Sequence, residues 1–172
     1  TKLNTPGVAL SDMPGVHALT DVTGFGLAGH LIEMCPGAKL QAQLSFKDIP
    51  LIPEALEFAK NKVVTGASGR NWAGYGSEVV LDAAMQDWQK SLLTDPQTSG
   101  GLLLACAPES EQDILALFKQ QGFEGARTIG SFVQGQGIVV PTTGVQATGF
   151  IGTVSVTGTA NVFPTGVVGY GL

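Results

Sequence analysis

The chain has 172 residues, of which 44% are hydrophobic, and its formal net charge is −5 at pH 7. This length and apolar content suffice for one domain with a buried core and a smaller appended segment. The negative charge and the lack of a Lys/Arg block argue against a nucleic-acid-binding surface, so we expect no nucleic-acid partner.

Cysteine content and hydropathy argue against a disulfide scaffold and against a membrane-spanning protein. The two cysteines, Cys35 and Cys106, form no C-x-x-C pair, and we expect buried, reduced thiols in a cytoplasmic protein rather than a disulfide scaffold. The longest apolar run, residues 102–107, is too short to cross a bilayer, and no signal peptide is visible, so no membrane partner is expected. The chain begins with Thr1 rather than Met, and we expect it to be part of a longer protein.

The hydrophobic pattern predicts alternating strands and helices between residues 1 and 133. In chain order these are a strand at 16–19, a helix at 24–34, a strand at 40–46, a helix at 53–62, an ambiguous segment at 78–84, a buried strand at 102–107, a helix at 108–121 and a strand at 126–133. Such alternation is typical of an α/β (α+β) domain.

The last part of the chain has a different composition. Residues 134–172 carry no charged side chain and are rich in Gly, Thr and Val, and residues 153–157 alternate with strand period. We therefore divide the chain into a domain at 1–133 and a β or irregular tail at 134–172. The tail faintly resembles the Gly/Thr/Val-rich repeats of phage-type structural proteins.

The stretch HALTDVTGFGLAGH, which begins at His17, permits several interpretations. Its glycines, at positions 24, 26 and 29, fit the G-x-G-x-x-G pattern of a dinucleotide-binding turn, and Asp48 stands about where a ribose-binding acid is expected. However, the preceding strand is short, and Asp21 would face pyrophosphate with no cation between them. A P-loop is excluded because no Lys-Ser or Lys-Thr follows the glycines.

A magnesium phosphate site fits the same stretch better. Asp21 offers hard oxygen ligands at the end of a strand, and Mg²⁺ usually takes only one or two carboxylates and completes its shell with phosphate oxygens. Thr20 and Thr23 add hydroxyls, and the glycines let backbone N–H groups approach phosphate beside a helix N-terminus. A turn or cap residue is the simpler interpretation of Asp21, and the residues alone leave this choice open.

Two more stretches are rich in glycine. In LLTDPQTSGGLLLAC, residues 92–106, Gly100 and Gly101 permit close backbone approach in a turn before the buried strand. The stretch VVTGASGRNWAGYG, residues 63–76, is predicted to be a structured surface loop that Trp72 and Tyr75 anchor.

The three stretches, in this order, resemble the blocks of the selenophosphate synthetase (selenide, water dikinase) family, over about residues 12–132. The resemblance implies a PurM-like enzyme, related in fold to aminoimidazole ribonucleotide synthetases, of which this chain is the C-terminal domain. That domain has a mixed sheet with packed helices, and the tail is not part of it. The family converts ATP, selenide and water to selenophosphate, AMP and phosphate.

The resemblance also implies roles for individual residues. The family holds ATP through Mg²⁺ ions that several aspartates bridge, and the TDVTGFG aspartate corresponds to Asp21. From the residues of the turn itself, we expect Thr23 and Gly24 to bind the nucleotide. The family's catalytic Cys or selenocysteine and its Lys lie in the N-terminal domain. The resemblance therefore assigns no catalytic residue here, and we expect the chain alone to be inactive. Family members are commonly homodimers, so the full-length protein is expected to be one.

Two other classes of function remain open from the sequence. The chain fits a non-catalytic scaffold or binding module that carries the repeat-like tail, and it fits a Rossmann oxidoreductase less well. His17 and His30 lack metal-ligand spacing, and we expect both to be structural.

Overall fold

The structure is a computed structural model, and it describes residues 3–35, 39–141 and 152–156. The helices are α1 (Pro6–Ser11), α2 (Gly26–Glu33), α3 (Pro53–Lys60), α4 (Gly66–Tyr75), α5 (Asp87–Thr94) and α6 (Glu111–Gln120). The strands are β1 (Val16–Asp21), β2 (Leu40–Leu44), β3 (Val79–Leu81), β4 (Leu102–Cys106), β5 (Arg127–Gln134), β6 (Ile138–Val140) and β7 (Gly152–Val156).

The described strands form one mixed sheet in the order β1-β4-β7-β5-β2-β6-β3. Neighbours from β1 to β2 pair antiparallel, whereas β6 pairs parallel with both β2 and β3. The predicted mixed α/β architecture is therefore confirmed.

Helices cover both faces of the sheet, and β4 shows this most clearly. Successive side chains of a strand point to opposite faces. Leu103 and Ala105 belong to the core cluster that includes the apolar side chains of α2 and α5. Leu102, Leu104 and Cys106 belong to the other cluster, which Leu10 of α1 and the α6 residues complete. Because both faces are buried, β4 reads in sequence as an uninterrupted apolar run.

The structure corrects one predicted element and adjusts several boundaries. Residues 63–76 are predicted to be a loop, but most of them form α4. The Thr65 hydroxyl accepts a hydrogen bond from the Ser68 N–H and stabilises the N-terminus of this helix. The helix expected at 24–34 begins two residues later, and the one expected at 108–121 opens with a 3-10 turn, Pro108–Ser110. The ambiguous segment at 78–84 contains the short strand β3.

The sheet continues past residue 133, where the sequence predicts a change of domain. The strand β6 lies between β2 and β3, and β7 lies between β4 and β5. The strand period expected at 153–157 is confirmed by β7, and the other features predicted for the tail beyond residue 141 lie outside the described residues. The domain boundary itself stays a prediction.

Within the described ranges, none of the helices is long and apolar enough to cross a membrane.

Candidate functional site

Asp21 is the last residue of β1, at one edge of the sheet, and its side chain is exposed. Its backbone is fixed because it pairs with Leu102 of β4, and the next residue, Val22, donates to the Gly101 carbonyl at 2.9 Å. Within the described part of the chain, no hydrogen bond or ion pair engages the Asp21 carboxylate. A rigid backbone thus presents a carboxylate that is open to solvent.

The turn after Asp21 leads into α2, and Thr23 organises it. The Thr23 carbonyl accepts from the N–H groups of Gly26, at 3.1 Å, and Gln97, at 2.9 Å. The Thr23 hydroxyl lies 3.1 Å from Nε2 of His30, whose ring is buried. His30 therefore supports the turn, as its predicted structural role requires, and the Thr23 hydroxyl already has a protein partner.

The three glycines of this stretch have different surroundings, and these decide whether a larger residue could replace each of them. Gly26 has a φ of +71°, and a Cβ atom there would lie 2.8 Å from the carbonyl carbon of Thr94. A Cβ atom on Gly29 would lie 2.6 Å from Cβ of Phe25 and 3.0 Å from the Tyr75 ring. Around Gly24, in contrast, no heavy atom lies within 4 Å of such a position, so this glycine faces open space.

The third stretch packs against this turn through its backbone. A Cβ atom on Gly100 would lie 2.0 Å from the Val22 carbonyl oxygen, so only glycine permits this approach. The predicted close backbone approach is confirmed for Gly100.

The helix α4 completes the arrangement, although its residues were predicted to be a loop. Asn71 Nδ2 donates to the carbonyl oxygens of Gly24 and Thr94, each at 2.9 Å. The Tyr75 hydroxyl donates to the Phe25 carbonyl at 2.5 Å. Burial raises the pKa of Tyr75, and the Gly29 N–H opposes this shift to a lesser extent. The three stretches that carry the family resemblance therefore meet in space.

The seam between α4 and the end of α5 is polar and buried. The Ser68 hydroxyl lies 2.6 Å from the Thr94 hydroxyl, and the Thr65 hydroxyl donates to Oδ1 of Asp95 at 3.0 Å. Asp95 is only 1% exposed. Because a buried carboxylate needs hydrogen-bond donors, these contacts explain how Asp95 is tolerated inside the fold.

Metal binding by this chain alone would rest on few ligands. In residues 3–35, 39–141 and 152–156, no group of three His, Cys, Asp or Glu side chains is arranged to hold a metal ion. A single open carboxylate still fits Mg²⁺, which takes hard oxygen ligands and obtains the rest of its shell from phosphates and water.

The cysteines play no visible part in this site. Cys35 is 1% exposed and Cys106 is fully buried, and both are free thiols, as predicted. Burial is the main cause that raises the pKa of both thiols. His17 lies on β1 with an exposed side chain, away from the Thr23 contact that His30 makes.

The Rossmann interpretation is wrong for this fold. A Rossmann unit places the strand before the glycine turn parallel to its neighbours in the sheet. Among the described strands, β1 pairs with β4 alone, and the pair is antiparallel. The expected ribose-binding acid, Asp48, instead accepts a hydrogen bond from the Ser45 hydroxyl within its own turn.

The mixed sheet, the helices on both faces and the three convergent glycine-rich segments define a PurM-like C-terminal α/β domain. The sequence profile of the family described as "AIR synthase related protein, C-terminal domain" matches residues 6–142. The chain belongs to this family. The match begins before and ends after the region of the resemblance, and it includes β6.

Proteins named selenide, water dikinase are similar to this chain. The relative from Dechloromonas aromatica (strain RCB) is 52% identical over 136 residues, which is 79% of this chain and 39% of that protein. The relative from Paraburkholderia xenovorans (strain LB400) is 50% identical over 139 residues, 81% of this chain and 39% of that protein. The relative from Burkholderia pseudomallei (strain K96243) is 54% identical over 135 residues, which is 78% of this chain and 38% of that protein. The chain thus spans about two fifths of the length of these curated relatives.

Proposed function

We propose that this chain is the C-terminal part of a selenide, water dikinase, a phosphotransferase that makes selenophosphate, AMP and phosphate from ATP, selenide and water. The observation that carries the proposal is the open Asp21 carboxylate at the rigid end of β1. The proposal is supported by the relatives' name and by the convergence of the TDVTGFG turn, α4 and the segment after α5. We expect the enzyme to be cytoplasmic and homodimeric.

In this proposal, Asp21 is a ligand of the Mg²⁺ that accompanies ATP. Phosphoryl transfer depends mainly on positioning and on neutralising phosphate charge, and a bound Mg²⁺ supplies that neutralisation. The chain's own contribution is to hold the Asp21 carboxylate in place, through the pairing of β1 with β4, and to present the turn at Thr23 and Gly24 to the phosphates.

The proposed site is shared with sequence outside this chain. One carboxylate supplies only part of a Mg²⁺ shell, and we assign no catalytic residue among the described positions. The remaining carboxylates and the reacting groups would come from the N-terminal part of the enzyme, so the 172-residue chain is expected to form no AMP by itself.

The test is a fusion of this chain to the N-terminal part of the Dechloromonas aromatica relative that lies outside the match. The wild-type fusion should form AMP in a selenide-dependent reaction. Asp21→Asn should lower the rate at limiting Mg²⁺ by at least about tenfold, because losing even an outer-shell partner of a metal ligand typically costs about ten- to a hundredfold. The chain alone should form no AMP.

A matched control is Asp113→Asn. Asp113 is an exposed carboxylate in the first turn of α6, which packs in the other core cluster, so this variant should keep the wild-type rate. A fusion with Asp21→Asn that keeps wild-type activity at limiting Mg²⁺ would refute the metal role. Selenide-dependent AMP formation by the chain alone would refute the shared site, and a wild-type fusion that binds no Mg-ATP in calorimetry would favour a non-catalytic scaffold.

A further inference from the structure

The carbonyl groups of the turn between β1 and α2 are held by one face of α4. Asn71 binds the Gly24 carbonyl, and Tyr75, four residues later, binds the Phe25 carbonyl. Residues four apart in a helix lie on the same face, so these two side chains reach consecutive peptide groups of the turn. The helix therefore fixes the orientation of both peptide planes.

Asn71 also links this turn to α5. The same Nδ2 atom donates to the carbonyl of Thr94, the last residue of α5. Both partners are carbonyl oxygens, which can only accept, so the amide nitrogen must face them and both of its N–H bonds are used. Carbonyls in the last turn of a helix lack intrahelical partners, and Asn71 supplies one.

The contact with Gly24 has a consequence for the other side of the same peptide. In a trans peptide the C=O and the next N–H point in opposite directions. Because the Gly24 carbonyl points at Asn71, the Phe25 N–H points away from α4. No acceptor for this N–H is present among the described residues, and both Gly24 and Phe25 are exposed. A backbone donor is thus left open in the turn that follows Asp21.

We propose that Asn71 is a positioning residue, which holds the Gly24–Phe25 peptide so that its N–H can donate to a phosphate oxygen of the nucleotide. This inference rests on the proposed function, since it names a support for the same Mg-ATP site. Asn71 has no donor left for a phosphate oxygen, because both of its N–H bonds are occupied by protein carbonyls.

The first experiment measures the turn itself, in the 172-residue chain without nucleotide. Asn71→Asp is nearly isosteric but removes both donors and places a carboxylate oxygen opposite two carbonyl oxygens. The amides of Gly26 and Gln97, which both donate to the Thr23 carbonyl, should exchange with solvent about tenfold faster, because two hydrogen bonds that support the turn are lost. Nuclear magnetic resonance resolves these amides individually.

Asn61→Asp is the matched control. The Asn61 side chain donates to the Glu57 carbonyl at 2.9 Å at the exposed end of α3, so the same chemical change occurs away from the turn. This variant should leave the exchange of Gly26 and Gln97 unchanged. Asn71→Ala, which adds no charge, is measured in parallel and carries the test if the aspartate variant does not fold.

The second experiment uses the fusion enzyme. Asn71→Ala and Asn71→Asp should each raise the KM for Mg-ATP by about tenfold, the loss of roughly one charge-assisted donor, with a smaller effect on kcat. Faster exchange with an unchanged KM would overturn the positioning role and leave a structural one. Unchanged exchange would overturn the inference directly. In either case a loss of activity with Asp21→Asn still supports the proposed function, so the two proposals can fail separately.

Discussion

Gly26 is the glycine of the TDVTGFG turn that the fold depends on most, and its replacement by alanine tests this. Its φ of +71° lies in the left-handed region, and the added Cβ would meet only backbone atoms. These are the carbonyl carbon of Thr94 at 2.8 Å, the carbonyl oxygen of Asp95 at 2.9 Å and that of Leu93 at 3.0 Å. Backbone at the end of a packed helix cannot move aside as a flexible side chain would.

The expected loss in the free energy of unfolding follows from the positive φ and from the close approach of the backbone atoms. A non-glycine residue in the left-handed region costs about 1–2 kcal/mol, and forcing extra atoms into a packed site costs about 1–3 kcal/mol. Gly26→Ala should therefore lower the free energy of unfolding by about 2–5 kcal/mol, a large share of the ~5–15 kcal/mol that stabilises a typical domain. Gly24→Ala is the matched control, since its Cβ meets no heavy atom within 4 Å and its φ is not positive.

Urea unfolding of the 172-residue chain, followed by tryptophan fluorescence, measures both variants. Trp72 and Trp88 are half-buried and pack against the core cluster that includes Leu27 of α2, so their emission should report the loss of this core. Gly26→Ala should lower the urea midpoint by about 1 M or more, and Gly24→Ala should change the free energy by no more than about 0.5 kcal/mol. Equal effects of the two substitutions would refute the argument from φ and close approach.

Two ionisable groups give pH-dependent predictions. Burial, followed by the charges of Glu111 and Glu109, raises the pKa of Cys106 from 9.0 to about 11, so this thiol should resist iodoacetamide at pH 8 until urea unfolds the chain. Rapid labelling of the native protein at pH 8 would contradict this resistance. The contribution of the protonated Cys106 thiol to stability is complete below pH 9 and is lost as pH rises through about 11. Burial likewise raises the pKa of Tyr75 above its ordinary 10.0, so the free energy of unfolding should fall as pH rises past 10, and less steeply in Tyr75→Phe. At pH 7 the free energy of unfolding of Tyr75→Phe should be about 1 kcal/mol lower than that of the wild type, because the hydrogen bond to the Phe25 carbonyl is lost. If urea unfolding showed the same pH dependence of this free energy for both proteins, the result would argue against a buried phenol.

The elements that the sequence predicted well are those with a strong apolar pattern. The buried run of β4 and the apolar face of α6 are examples, because burial there depends on side chains that can be read directly. The helix α4 was missed because three of its ten residues are glycines and only Ser68 is buried. Its one local signal was the cap, Thr65 followed three residues later by Ser68, whose N–H the threonine hydroxyl accepts.

The candidate site could also be identified only in part from the sequence. A carboxylate beside a glycine turn is a recognisable pattern, and it led to Asp21. Asn71 could not be identified in the same way, because its role depends on carbonyl groups 47 and 23 positions away in the chain. Every residue has a backbone carbonyl, so the residue types do not indicate which carbonyl a side chain will bind. Such a contact can be identified only when the positions of the three segments are known.

The tripeptide Leu-Thr-Asp occurs twice in the chain, and its two aspartates lie in different environments. The first ends at Asp21 and the second at Asp95, and each precedes a segment that contains glycine. Asp95 is 1% exposed and accepts from the Thr65 hydroxyl, so its carboxylate is committed to joining α4 to the end of α5. Asp21 ends an edge strand, with its carboxylate exposed and without a partner in the described residues. A cation that carries ATP must reach its ligand from solvent, and a buried carboxylate that exchanged its donors for a metal would leave those donors unsatisfied. Accessibility therefore favours Asp21 over Asp95 for the proposed binding role, whereas the contacts of Asp95 are structural.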